Sequence, residues 1–423
     1  ILRLMKKVLI ITYYWPPSGG PGVQRVLKFC KYLRKFGWEP IVLTTKDGDF
    51  PVEDLSFYND TKTIDVHFAN SLSFHKIYNW ITGNKTIPTY QLSSSSKDNK
   101  MVQLFRWIRN NLIVPDGRIG WYPNAVKVGS DLIKQNNIRV IFSSAPPYTV
   151  HLIGRTLSKK YKIPWIADFR DPWTDRFYNY ENKRLWITRM IDSHLENKVI
   201  NDATALTTVS KTISKSYKKL FHVIHNGYDE DDFTAINKIK NNAVVIRYIG
   251  TMTKSQYPSI FFESINELNL NKKKYQIELI GNIHPDIKYD IEIKKYDNFI
   301  KIKPYIPHKE AIKEMCESRF LLLVIPNTQK NMGIVTGKLF EYIRSGSKIL
   351  MIGPIDSDAA KIIHETNSGY CFDYNDMSNL GTILSNKKIL NSIDYSHYSR
   401  VSLTKKLVGI FNKTIKGSTN INV

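Results

Sequence analysis

Residues 7–13, Lys-Val-Leu-Ile-Ile-Thr-Tyr, make an apolar run of strand length that enters a glycine-rich stretch, Trp15-Pro16-Pro17-Ser18-Gly19-Gly20-Pro21-Gly22. An amphipathic helix follows to about Phe36, Gly37 stops it, and residues 40–44 form a second strand. A strand–helix–strand unit of this spacing requires parallel strands and a right-handed crossover. The pattern then continues with strands at 140–143, 165–168 and 205–209, the last of this half, and helices at 124–135, 184–200 and 211–219. A short strand runs into the Asn226-Gly227 turn, and at 243 the pattern starts afresh. Strands are expected at 243–249, 276–281, 300–303, 320–326, 348–352 and 369–372, with helices at 258–268, 285–296, 308–317, 337–345 and 356–366. The fold class is α/β, as two doubly wound domains.

A chain of 423 residues exceeds what one core usually holds. The expected division is 1–222, an N-terminal domain, 223–395, a C-terminal domain, and 396–423, a basic amphipathic helix packing back towards the N-terminal domain. Three widely spaced cysteines, Cys30, Cys316 and Cys371, argue for a reducing compartment and against a disulfide framework or a metal cluster. The opening Ile-Leu-Arg-Leu-Met-Lys-Lys reads as a short extension before Met5. No apolar run reaches membrane-span length, so cytoplasm is the expected location. The net charge of +23 favours polyanionic partners: nucleic acid, an anionic membrane face or phosphate-bearing substrates. The basic, aromatic segment Phe105-Arg106-Trp107-Ile108-Arg109 could lie on lipid headgroups or be an ordinary surface helix.

Open α/β sheets bind ligands beyond the carboxyl ends of their strands. In the first half that places the glycine loop and Asp168, Arg170 and Asp171 together, either with an Asp taking an acceptor proton or as an Asp–Arg pair bracing a loop. In the second half, Thr336 is a good N-cap and Gly346 a left-handed stop for a helix at 337–345. Lys338 and Glu341, three apart, share one face of it. Lys338 sits where unpaired N–H groups attract phosphate, and Glu341 one turn on could accept both hydroxyls of a ribose. The alternative is a solvated lysine–glutamate pair. Lys254, in the first loop of this half, can reach the same diphosphate, or is a solvated loop lysine.

Four stretches carry a resemblance: residues 13–25 (Tyr-Tyr-Trp-Pro-Pro-Ser-Gly-Gly-Pro-Gly-Val-Gln-Arg), 163–173 (Ile-Pro-Trp-Ile-Ala-Asp-Phe-Arg-Asp-Pro-Trp), 225–229 (His-Asn-Gly-Tyr-Asp) and 337–342 (Gly-Lys-Leu-Phe-Glu-Tyr). Together, and in this order over nearly the whole chain, they resemble glycosyltransferases of the GT-B fold, family 4-like, of the kind that builds bacterial cell-surface polysaccharides such as lipopolysaccharide. The resemblance implies two Rossmann-like domains facing across a cleft, an acceptor held by the N-terminal domain, a nucleotide-sugar donor held mainly by the C-terminal one, retention of anomeric configuration, and neither an essential metal nor a cofactor. It implies that Glu341 binds the donor ribose, that Lys254 and Lys338 neutralise the diphosphate, and that Gly20 offers its backbone N–H to phosphate. Gly333 stands where the family usually carries a glutamate to the donor sugar. The stretch Asp168-Phe169-Arg170-Asp171 stands where it often has a catalytic histidine. By position, Tyr305 and Ile306 lie on the side of the base.

The expected activity is therefore transfer of a sugar from a nucleotide diphosphate sugar to a glycan or lipid-linked acceptor, in the cytoplasm or peripherally on the inner membrane face. A nucleotide-sugar epimerase of the same fold is the alternative enzyme. A basic nucleic-acid-binding protein is a third reading, disfavoured because the chain shows no helix-turn-helix, zinc-finger or aromatic strand signature.

Overall fold

The structure, a computed structural model, describes residues 5–46, 48, 53–72, 100–175, 184–234, 244–270, 275–386 and 393–419. The chain divides into two compact units. Ile1–Val209, Ile213–Ile224 and Leu403–Val423 form the first, and Ser210–Thr212 and His225–Ser402 the second.

The first unit is built on β1 (Lys6–Ile11), β2 (Trp38–Thr45), β3 (Asp65–Ala69), β4 (Ile138–Ala145), β5 (Trp165–Phe169), β6 (Ala205–Thr208) and β7 (His222–Val223), in the spatial order β3-β2-β1-β4-β5-β6-β7. Every pairing is parallel. Such strands are covered on both faces, which is why β1 reads as a continuous apolar run. Leu9 and Ile11 point into one layer with Leu43 and Ile141, while Val8 and Ile10 point into the other with Val42 and Phe142. The terminal helix Arg400–Thr419 closes that second layer with Leu403, Leu407 and Phe411, and the Phe411 ring lies 5.1 Å from Trp38.

The second unit repeats the plan with β8 (Val244–Ile249), β9 (Tyr275–Ile280), β10 (Ile300–Lys303), β11 (Phe320–Val324), β12 (Lys348–Ile352) and β13 (Gly369–Phe372), ordered β10-β9-β8-β11-β12-β13 and again wholly parallel. In both sheets the order reverses once, between β1 and β4 and between β8 and β11. That reversal is where doubly wound sheets hold ligands.

Three details differ from expectation. The last strand of the first sheet is His222–Val223, whose two residues pair with Thr207 and Thr208, and not 205–209. The helix expected at 211–219 ends at Lys215. Strand β3 and the helix Thr149–Tyr161 had no counterpart in the sequence reading. The exposed loop expected around 93–99 lies outside the described residues.

Candidate functional site

In the second unit the site is organised by the helix Gly337–Ser345. Leu339, Phe340 and Ile343 bury one side of it, and Gly346 ends it at φ 73°, a left-handed conformation that glycine adopts without strain. Thr336 has the extended backbone of an N-cap, but its side chain caps nothing. Its hydroxyl is buried without a hydrogen-bond partner, a correction to the expected cap. Tyr342 ties the helix to the sheet by accepting the Ile249 N–H at 3.2 Å, at the end of β8.

This packing aims Lys338 at the reversal point of the sheet. Its Nζ lies 4.2 Å from the centre of the Tyr248 ring, and a Cβ added to Gly250 would sit 2.9 Å from that nitrogen. Gly250 holds φ +128°, and Gly281, at the end of β9, holds φ +125° against the Gly250 carbonyl. The two glycines keep the strand ends free of side chains beside the ammonium. Burial pushes the Lys338 ammonium down to about 8, and the Glu341 carboxylate opposes that shift. A cation so placed gains from an incoming anion, because its own solvation has already been lost.

Glu341 is buried one turn further along. Its Oε1 lies 2.8 Å from Nε2 of His308, the first residue of the helix His308–Glu317. This partner escaped the sequence reading. The sequence places a helix at 308–317, but nothing local says that its first residue meets position 341.

Lys254 stands in a turn fixed by the reciprocal Thr253–Gln256 capping box. It is exposed and pairs with Asp286 Oδ2 at 3.0 Å, an interaction that lowers the Asp286 carboxyl. Tyr305 is exposed, and Ile306 packs on the core between sheet and helices. Gly333 is buried, and a Cβ there would press on the Thr212 side chain and the Ser210 hydroxyl at 3.1 and 3.3 Å. The space in which a side chain at 333 would start is thus already occupied.

The first-unit candidates divide differently. Asp168 is fully buried. It receives Arg25 Nε at 3.0 Å and Nη2 at 2.8 Å, Ser144 Oγ at 2.7 Å and Thr207 Oγ1 at 2.7 Å. Burial works against its ionisation, but Arg25, Thr207 and Ser144 prevail and hold the carboxyl below its usual range. With both oxygens engaged, Asp168 braces β4, β5, β6 and the helix Pro21–Leu33. Arg170 donates to the carbonyls of Gly22 (2.6 Å), Ala145 (3.0 Å) and Pro146, locking the glycine loop to the end of β4. Asp171 alone of the three is exposed. Gly20, at φ +96°, precedes the same helix with no atom within 4 Å of where a Cβ would stand.

Among the described residues no cluster of metal-ligating side chains occurs, and no helix is long and apolar enough to cross a membrane. No protein-family model and no curated protein sequence matches the chain. Solved structures do. Sucrose-phosphate synthase from Thermosynechococcus elongatus aligns over 97% of this chain and 100% of its own, with a TM-score of 0.67 at 10% identity. A glycosyltransferase from Rickettsia africae aligns over 97% and 99%, with a TM-score of 0.62 at 14% identity. The fold is GT-B. The catalytic domain of starch synthase IV from Arabidopsis thaliana, solved with ADP and acarbose, has the same GT-B arrangement over 97% and 99%, with a TM-score of 0.58 at 11% identity.

Proposed function

We propose that this GT-B chain is a glycosyltransferase that moves a sugar from a nucleotide diphosphate sugar, with retention, to a glycan or lipid-linked acceptor. A family 4-like role in cell-surface polysaccharide synthesis, in the cytoplasm at an anionic membrane face, fits the resemblance and the charge of +23. The observation that carries the reading is the pairing of Lys338 and Glu341 on one helix face at the reversal point of the second sheet, with the ammonium desolvated and the carboxylate held by His308. Lys338 and the N–H groups at the start of Gly337–Ser345 would take the donor diphosphate, and Glu341 the ribose. Lys254 would join them by exchanging Asp286 for phosphate. Charge building on the leaving diphosphate would be met by these groups, so that no divalent cation is required.

Thr336, with a free buried hydroxyl, is a further donor contact in this reading. Gly333 sets the floor near the sugar, and Tyr305 and Ile306 lie on the base side. Gly20 offers a backbone N–H to an anionic group. On the acceptor side, Asp171 is the candidate for the attacking hydroxyl, with Arg170 and Asp168 fixing its loop.

The test is thermal stabilisation against UDP, GDP, ADP, CMP and dTDP, repeated on Glu341→Ala. One nucleoside diphosphate should stabilise the wild type, and the variant should lose the effect. If none does, the donor site is refuted. Incubating the matching nucleotide-sugar alone separates the alternative enzyme, since an epimerase converts the sugar without an acceptor and a transferase does not.

A further inference from the structure

The first half of the helix Trp186–Asp202 is turned the opposite way from an ordinary surface helix, whereas its second half buries Val199 and Ile200 in the core of the first unit. Thr188, Asp192 and Glu196, four apart, face inward and are buried, whereas Trp186 (65% exposed), Ile187 (50%), Met190 (60%) and Ile191 (45%) face outward. The inward acids are fully engaged. Arg184 pairs with Asp192, the Trp173 indole N–H reaches Asp192 at 3.4 Å, and Glu196 accepts from the Tyr217 hydroxyl at 2.7 Å and from the Thr174 hydroxyl. This network, with Val199 and Ile200 buried in the core further along, fixes the phase of the helix, so the apolar face of its first half points outward. A chain selected only for stability would have buried 187, 190 and 191 instead.

The face continues onto a neighbour. Leu185 N–H donates to Asn111 Oδ1 and Thr188 Oγ1 to the Asn111 carbonyl, both at 2.7 Å. These bonds stitch the start of this helix to the end of the helix Lys100–Asn111, where Trp107 and Leu112 are also exposed. Single exposed apolar residues need no explanation, but six clustered on two joined helix ends do.

We infer that this face docks on an anionic lipid bilayer. Charge decides the occupant. Residues 100–112 and 184–191 contain five Lys and Arg and no carboxylate, and while Arg184 is turned inward on Asp192, Arg189 stands exposed beside Met190. Tryptophan beside cations, on a helix lying flat with its apolar side down, is the chemistry of a headgroup boundary. The inference deepens the membrane part of the proposed function, but vesicle binding is measured without nucleotide and donor binding without lipid, so either can fail alone.

The experiment is flotation of the full chain with vesicles of phosphatidylglycerol and phosphatidylethanolamine, against vesicles of phosphatidylcholine alone. Wild type should bind the anionic vesicles about tenfold or more tighter, and less tightly as salt rises. Ile187→Glu/Met190→Glu, and separately Trp186→Ser, should lose about tenfold, while Leu270→Glu on an exposed position of the second unit should bind as wild type. Absence of wild-type binding to anionic vesicles overturns the inference, as does unchanged binding by both patch variants. Light scattering supplies the other refutation: a dimer that Ile187→Glu/Met190→Glu dissociates would make the face a contact between copies.

Discussion

Replacing Lys338 by methionine should stabilise the free protein and cripple nucleotide binding, and pH separates the two effects. The native ammonium titrates at about 8 against an ordinary 10.5. Between those values the unfolded chain binds more protons than the folded one, so wild-type stability rises with pH across that window. Each tenfold loss of proton affinity on folding is worth about 1.4 kcal/mol, so the buried charge costs roughly 3 kcal/mol at pH 7 and roughly 1 kcal/mol at pH 9.5. Methionine keeps the stem and loses the charge, so its advantage over wild type should shrink by about 2 kcal/mol between the two pH values. For a unit of this size that is roughly 4–8 °C in melting temperature. The assay is thermal unfolding of both proteins at each pH, followed by calorimetric titration with the nucleoside diphosphate that stabilises wild type. Diphosphate affinity should fall roughly a hundredfold in the variant, the loss of one close charge-assisted contact. In wild type it should weaken as pH rises through 8. A melting difference that stays constant from pH 7 to 9.5 would refute the desolvated ammonium, and undiminished nucleotide affinity would remove Lys338 from the diphosphate site.

Other perturbations have equally definite outcomes. His308→Ala should leave the melting temperature within a degree or two and reduce nucleoside diphosphate affinity by roughly 3–10-fold, because Glu341 loses the group that orients it, and His308→Gln should restore part of that loss on titration. Asp168→Asn should destabilise the first unit by roughly 3–5 kcal/mol in urea, since Arg25 is left buried and charged without its counter-ion. The Asp168 carboxyl is held low in the native state, so its contribution is present above the unfolded pKa and lost as pH falls through the native one. The acid limb of the wild-type stability curve should therefore flatten in the variant. Gly281→Ala should cost more than about 2 kcal/mol, because its Cβ would stand 2.4 Å from the Gly250 carbonyl oxygen at φ +125°, whereas Gly409→Ala, in open space on the last helix, should gain about 0.5–1 kcal/mol.

These tests fall where local pattern and distant partner diverge, and the same division explains what the sequence discloses. Strands β11 and β12 are legible because a strand covered on both faces is almost wholly apolar, as is β1 from Val8 on, and the helix Gly337–Ser345 is legible because its boundaries and stripe are local. Strand β7 is legible as a short strand before the Asn226-Gly227 turn but not as part of the first sheet: two residues carry no sign of their neighbour, and only pairing with Thr207 and Thr208 places them there. Asp168 invites a catalytic reading because it ends a strand beside Arg170 and Asp171. Its actual counter-ion, Arg25, is 143 positions away on a helix that by itself reads as amphipathic. The helix Trp186–Asp202 shows the limit most clearly. Its apolar positions 186, 187, 190 and 191, taken alone, describe a core-facing stripe, and it takes Arg184 just before the helix, Trp173 and Tyr217 on its inner side, and the burial of Val199 and Ile200 to turn the acids inward and the stripe out. A buried carboxylate is tolerated only with its partners in place, so burial of Asp192 and Glu196 is set by tertiary neighbours that no helical period encodes. It follows that Asp192→Leu with Glu196→Leu should not simply repair the helix. Each change leaves Arg184 or Tyr217, both partly buried, without its carboxylate, and the double variant should be less stable than wild type although more of its inward face is apolar.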